Sequence, residues 1–289
     1  MSLPNFMCIG ASKSGTTSLY DILRQHSDVF IPSFKEPHFF DISTVYELGI
    51  PWYEKTYFSG VKKEQCIGDF TPTYLFDKYA PERILSSLGE DVKFIIILRN
   101  PVDRAYSHYL HSKRDLHELL SFEDALKKKV DESNNYLTYL RTSYVEQGKY
   151  ADMLQRYFAL FSKDNFLILH FEEDFVAERE QTMVKIFKFL NIKKEDIDFN
   201  IRSNKASKAK FIWLKSLMQK TGWWRQIIKN IFPSLKIRQI IKNRIQRLNI
   251  TTFTPPKLSD EERKNILNDY FCKDIETVEG LLGRKMNWK

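Results

Sequence analysis

Cysteine is scarce in this chain: there are three in 289 residues, at Cys8, Cys66 and Cys272. An odd, scattered set builds neither a disulfide framework nor a zinc site, and it points to buried free thiols in a reducing compartment. Long hydrophobic runs are missing too. The plainest apolar stretch, Phe94-Ile95-Ile96-Ile97-Leu98, has only five residues, whereas a bilayer-spanning helix needs about 20. The N-terminus carries no basic segment ahead of its short apolar run, so it does not read as a signal peptide, and a cytoplasmic location is the expectation. Internal repeats and low-complexity tracts are likewise absent. The most local absence is that of acids. From Phe199 to Ser259 there are fourteen Lys and Arg and not one Asp or Glu. The net charge of +8 therefore belongs to that segment, and the rest of the chain is net acidic.

What is present is the composition of a globular protein, 43% apolar and 28% charged, in a chain long enough for one large core. Strand-like runs at Phe6-Met7-Cys8-Ile9, Gln65–Asp69, Asp91–Leu98 and Asn165–His170 alternate with helical patterns. A short extended piece is expected at Asp28–Pro32. Helices are expected after the first strand, from Pro81, over Val102–Arg114, from Ser121, over Tyr144–Phe161, over Glu180–Leu190 and from Glu261 to about Leu282. This alternation predicts an α/β fold, a three-layer sandwich with a central parallel sheet flanked by helices. We expect one domain over 1–289 that includes a basic, aromatic, mostly helical segment at about 200–255.

The stretch Ile9-Gly10-Ala11-Ser12-Lys13-Ser14-Gly15-Thr16-Thr17-Ser18-Leu19 turns from the first strand into the first helix. Backbone N–H groups at a helix start, the positive end of the helix dipole, Lys13 and five hydroxyls make a phosphate cradle of P-loop type. The spacing of Gly10 and Gly15 fits the nucleotide-triphosphatase pattern, but Thr16 stands where that pattern has lysine, and the lysine lies inside the loop. A second anion point follows the strongest strand. Arg99 stands at its tip, and Ser107 lies about two helical turns on. Ligands of parallel sheets bind at the carboxyl ends of strands, so two phosphate points there imply a ligand with two separated anionic groups.

With those residues in place, the chain resembles the sulfotransferases that use 3′-phosphoadenosine 5′-phosphosulfate (PAPS), in particular the branch of the heparan sulfate sulfotransferases and their bacterial relatives. Four stretches carry the resemblance: the Ile9–Leu19 loop, Lys35-Glu36-Pro37-His38-Phe39-Phe40-Asp41, Ile96–Ser107, and the weaker His170-Phe171-Glu172-Glu173-Asp174-Phe175. The resemblance implies that Ser12, Lys13, Ser14, Gly15, Thr16, Thr17 and Ser18 hold the 5′-phosphosulfate, that Arg99 and Ser107 hold the 3′-phosphate, and that no metal is needed. It implies Glu36 as the base, Lys13 as the cation on the leaving phosphate oxygen, and His38 as a catalytic neighbour. The product would be 3′-phosphoadenosine 5′-phosphate (PAP), and the acceptor a hydroxyl or amine of a carbohydrate or glycolipid. Two departures stand out. Where those enzymes have Glu-Lys-Thr-Pro this chain has Asp69-Phe70-Thr71-Pro72, so a cation is missing or comes from elsewhere; Asp69, Phe70 and Tyr74 are the expected acceptor contacts. Their late Lys-Gly-Arg loop has only Ser203–Lys208 as a counterpart, so Lys205, Ser207 and Lys208 are the candidates to close over the nucleotide.

The basic segment has two functional readings beside that of core helices with solvated basic faces. Trp213, Trp223 and Trp224 among Lys and Arg suit an anionic membrane surface on the cytoplasmic side, or a groove for an anionic glycan. Nucleic acid is not expected, since no recognised module is present. A P-loop kinase is the competing enzyme class, and a non-catalytic polyanion or membrane binder the competing non-enzyme.

Overall fold

Apolar strands need a cover on each face, and the sequence of side chains along them shows how the covers are divided. The computed structural model describes residues 2–130, 135–201, 207–209, 250–252, 254 and 256–288. Packing divides the chain into two compact units. One comprises Met1–His108, Ser143–Ser203 and Ser259–Lys289, the other Tyr109–Thr142 and Asn204–Leu258.

The first unit holds a five-stranded parallel sheet in the order β2-β3-β1-β4-β5. Its strands are β1 Phe6–Gly10, β2 Val29–Phe30, β3 Cys66–Phe70, β4 Lys93–Leu98 and β5 Phe166–His170. The chain moves to one side of β1 for β2 and β3, and to the other for β4 and β5. The carboxyl end of β1 is thus the switch point, where open parallel sheets place their ligands. Alternate residues separate cleanly. Met7, Ile9, Phe94, Ile96 and Leu98 face one apolar layer; Phe6, Cys8, Ile95 and Ile97 face the other. The second layer is α1 Thr16–Leu23 and α5 Arg179–Leu190, through Leu19, Ile22, Met183, Ile186 and Phe187. The first layer is built from Phe39, Phe40, Tyr53 and Tyr74, from Ile84 of α2 Ala80–Leu88, and from Leu154 and Tyr157 of α4 Tyr150–Phe158. Fully burying each such side chain contributes about 1.5–3 kcal/mol. The expected α/β sandwich is therefore the observed one.

Two helices differ from expectation. The helix expected from Tyr144 begins only at Tyr150, after a 3₁₀ turn at Glu146–Gly148. The Asp274 carboxylate fixes that start by accepting from the N–H groups of Tyr150 (2.8 Å) and Ala151 (3.1 Å). The long C-terminal helix is two helices, α6 Asp260–Tyr270 and α7 Cys272–Leu282. The break is at Phe271, which leaves helical geometry to bury its ring against Gly148. Ser259 starts α6 with a capping box to Glu262. Cys8 and Cys66 are buried free thiols as expected, but Cys272 is exposed.

In the second unit, Ser121 caps the helix Phe122–Lys127, accepting from the Asp124 N–H. Within the basic segment, expected to be mostly helical, the described stretches are two short strands, β6 Ser207–Ala209 and β7 Ile250–Thr252, paired antiparallel. Lys205 and residues 210–249 lie outside the described residues. The helix α3 Pro101–Arg114 runs from the first unit into the second. No helix among the described residues is long and apolar enough to cross a membrane.

Candidate active site

The phosphate loop leaves β1 at Gly10 and enters α1 at Gly15, which has φ +85° and precedes the first helical residue. A Cβ on Gly15 would sit 2.8 Å from the Phe171 ring and 3.0 Å from that of Phe175, so only glycine fits both the backbone and the space. Two bonds pin the loop to β4. The Ala11 N–H donates to Ile97 O (2.9 Å), and the Arg99 guanidinium donates to Lys13 O (2.9 Å). No acid occupies the first turn of α1, so nothing there neutralises the positive end of the helix. Ser14 is fully buried, and its Oγ has no hydrogen-bond partner among the described residues.

Register explains the second anion point. Leu98 of β4 is paired with His170 of β5, so the chain positions that follow, Arg99 and Phe171, leave the sheet side by side. The Arg99 guanidinium lies over the Phe171 ring, 4.9 Å from its centre. Its buried Nε makes no hydrogen bond among the described residues, Glu172 Oε1 being 3.9 Å away. Tyr150 OH donates to Arg99 O at 2.9 Å and fixes the strand tip. Ser107 is half-buried on α3. Nearby Arg104 is fully buried, donates to Tyr144 O, and has its pKa pushed down by burial to about 10.

The third group is the loop Lys35–Asp41. Lys35 Nζ is 2.7 Å from Glu36 Oε1 and 3.2 Å from Thr17 Oγ1 of the phosphate loop. His38 Nδ1 is 2.9 Å from Asp41 Oδ2, which also accepts from Thr73 Oγ1, while His38 Nε2 is 3.9 Å from Glu36 Oε2. Burial opposes the charge on Glu36, but the Lys35 ammonium, His38 and Lys13 outweigh it and hold the carboxyl below its usual range. Burial likewise opposes the charge on His38, yet Asp41 first and then Glu36 raise its pKa. Lys13, Glu36 and His38 all adopt the left-handed backbone region, with φ of 70°, 64° and 53°. Non-glycine residues enter that region at a cost of about 1–2 kcal/mol each.

The structure thus brings Lys13, Thr17, Glu36 and His38 together and joins Arg99 to them through Lys13 O. Asp69, Phe70 and Tyr74 are placed differently from expectation, since all three are fully buried. Phe70 packs on Phe6 and Tyr20 in the core, because it ends β3 facing the α1 layer. Asp69 accepts from Tyr53, Thr71 and Tyr74, and burial pushes its pKa up to about 6. Tyr74 OH in turn accepts from the Phe39 N–H at 3.0 Å. These residues support the loop from below. Ser207 and Lys208 are on β6 in the second unit. Sequence reasoning missed Lys35, Asp41 and Thr73; the spacing of His38 and Asp41, three apart in a tight loop, was the available signal for one of them. Among the described residues no cluster of His, Cys, Asp and Glu is placed to hold a metal ion.

Comparison with known proteins follows the same lines. Residues 3–233 match the family model described as "Sulfotransferase domain". The chain is 30% identical over 206 residues to human heparan sulfate glucosamine 3-O-sulfotransferase 3B1, across 71% of this chain and 50% of that protein. It is 28% identical over 250 residues to human carbohydrate sulfotransferase 15, across 66% of this chain and 44% of that protein. The chain thus spans about half the length of the curated relatives it matches. The crystal structure of a sulfotransferase from Alicyclobacillus acidocaldarius superposes with a TM-score of 0.69 at 26% identity, over 98% of this chain and 97% of that one.

Proposed function

This chain belongs to the sulfotransferase domain family, and on that premise we propose that it transfers a sulfuryl group from PAPS to a hydroxyl or amine of a carbohydrate or glycolipid. The observation that carries the reading is the convergence of Lys13, Glu36 and His38, three strained non-glycine residues, at the carboxyl end of β1. Backbone strain is retained where function requires a fixed geometry. The names of the relatives, one acting on heparan sulfate glucosamine and one on carbohydrate, support the acceptor class.

The residues fit a donor with two separated anionic groups. Ser14 Oγ and Arg99 Nε are buried polar atoms without hydrogen-bond partners among the described residues, one in the phosphate loop and one at the tip of β4. Ser12 to Ser18 and the start of α1 would hold the 5′-phosphosulfate, and Arg99 with Ser107 the 3′-phosphate. When bound, PAPS supplies the sulfuryl group and departs as PAP.

Glu36 accepts the proton of the acceptor hydroxyl as the new O–S bond forms. It is ionised for that task because Lys35, His38 and Lys13 stabilise its charge. Lys13 balances the charge that collects on the departing phosphate oxygen. His38, held by Asp41, fixes the loop that presents Glu36. The basic, tryptophan-rich composition of 205–250 supports work at an anionic, glycolipid-bearing membrane surface on the cytoplasmic side.

A nucleotide titration tests this reading. PAP should bind tightly and equally with and without Mg²⁺, and ATP weakly. Preference for Mg·ATP would replace the proposal with a kinase.

A further inference from the structure

Lys35 lies in neither anion point, yet it is the side chain that joins the phosphate loop to the base. Its ammonium reaches Thr17 Oγ1 at 3.2 Å on one side and Glu36 Oε1 at 2.7 Å on the other. Its side chain is only 16% exposed, whereas that of Glu36 is 41% exposed. An exposed carboxylate on a loop ordinarily samples several rotamers, and a mostly buried ammonium removes that freedom. The backbone adds to the effect, since Glu36 is held at φ 64° directly after Lys35. The contact on Thr17 lies in the first turn of α1, within the element that presents its N–H groups to phosphate.

We propose that Lys35 is a positioning residue that ties the phosphate loop to Glu36 and fixes the aim of the base. The proposal rests on the reading of Glu36 as the base in sulfuryl transfer. The charged groups facing Glu36 are Lys35, His38 at 3.9 Å, and Lys13; Lys35 makes the nearest contact and is the largest cause holding the carboxyl below its usual range against burial. Removing the ammonium leaves burial less opposed, so Glu36 should titrate at higher pH. A base works in its ionised form, and the acid limb of kcat should therefore move to higher pH as well.

The test uses the full chain with Lys35→Met, Lys35→Gln and Lys35→Arg, checked for wild-type thermal midpoints. Glu36 is titrated in the ligand-free protein by carboxyl ¹³C NMR, and kcat for transfer from labelled PAPS is followed against pH. Lys35→Met and Lys35→Gln should raise the Glu36 midpoint, shift the acid limb upward and lower the plateau kcat on the order of tenfold. Lys35→Arg should restore the midpoint and most of the rate. A Glu36 midpoint that does not move in either neutral variant overturns the proposal. If the wild-type chain does not turn over PAPS, the sulfotransferase reading fails separately, and the ligand-free titration still decides whether Lys35 governs Glu36.

Discussion

Tyr74→Phe removes one oxygen from the floor of the site, and the consequences can be worked out from its partners. The hydroxyl is fully buried, accepts from the Phe39 N–H at 3.0 Å and donates to Asp69 Oδ2 at 3.2 Å. Without it the Phe39 N–H is left buried and unpaired, which costs about 1–3 kcal/mol. A bond to the buried Asp69 carboxylate is lost as well, worth about 1.5–3 kcal/mol while that group is charged. Part of each loss is relieved by relaxation, so the net penalty should be about 3 kcal/mol at pH 8, or roughly 8 °C in thermal midpoint. The pH dependence sharpens the test. Burial pushes the Asp69 pKa up to about 6 from 3.8, so the folded state binds more protons than the unfolded state between those values. Asp69 therefore lowers stability as pH rises through that window. The lost hydroxyl favoured the ionised form, so Tyr74→Phe should raise the folded pKa further and cost more at pH 8 than at pH 5. Urea denaturation followed by tryptophan fluorescence at both pH values measures this. A penalty below about 1 kcal/mol at both, or a larger one at pH 5, would refute the reasoning.

Other perturbations follow the same logic. Gly15→Ala forces a Cβ to 2.8 Å from the Phe171 ring at φ +85°, and should lower stability by about 2–3 kcal/mol and PAP affinity at least tenfold in calorimetry. Arg99→Lys keeps the charge but loses the planar fork that reaches Lys13 O, so PAP should bind about tenfold more weakly; unchanged affinity would show that the guanidinium does not hold an anion. Trp288→Ala empties a place packed against His170 and Tyr150, the residue whose hydroxyl holds the Arg99 carbonyl, and should cost about 3–4 kcal/mol in urea denaturation.

The frame of this site was legible because its signals are local. A strand running into a glycine-bounded loop and a helix start needs only neighbours in sequence, and so does an arginine directly after an apolar strand. The left-handed backbone at Lys13, Glu36 and His38 was not legible, since it is imposed by what packs around each loop. The fate of Phe70 was misread for a related reason. Its motif position suggests a surface contact, but the end of β3 turns the ring toward Phe6 and Tyr20. Lys35, one residue before the base, went unassigned because sequence spacing alone could not distinguish it from a solvated surface lysine. Helix ends were misjudged where a distant group decides them, as Asp274 does for Tyr150 and Gly148 does for Phe271.

Transfer of labelled sulfate from PAPS to a panel of glycans and glycolipids, by wild type, Lys13→Ala and Glu36→Gln, tests the central claim most directly. Wild type should label at least one carbohydrate acceptor. Lys13→Ala should lose about 10²–10³-fold in kcat and Glu36→Gln about 10²–10⁴-fold, the latter with PAP binding intact. Equal transfer by all three proteins, or none by wild type to any acceptor, would contradict it.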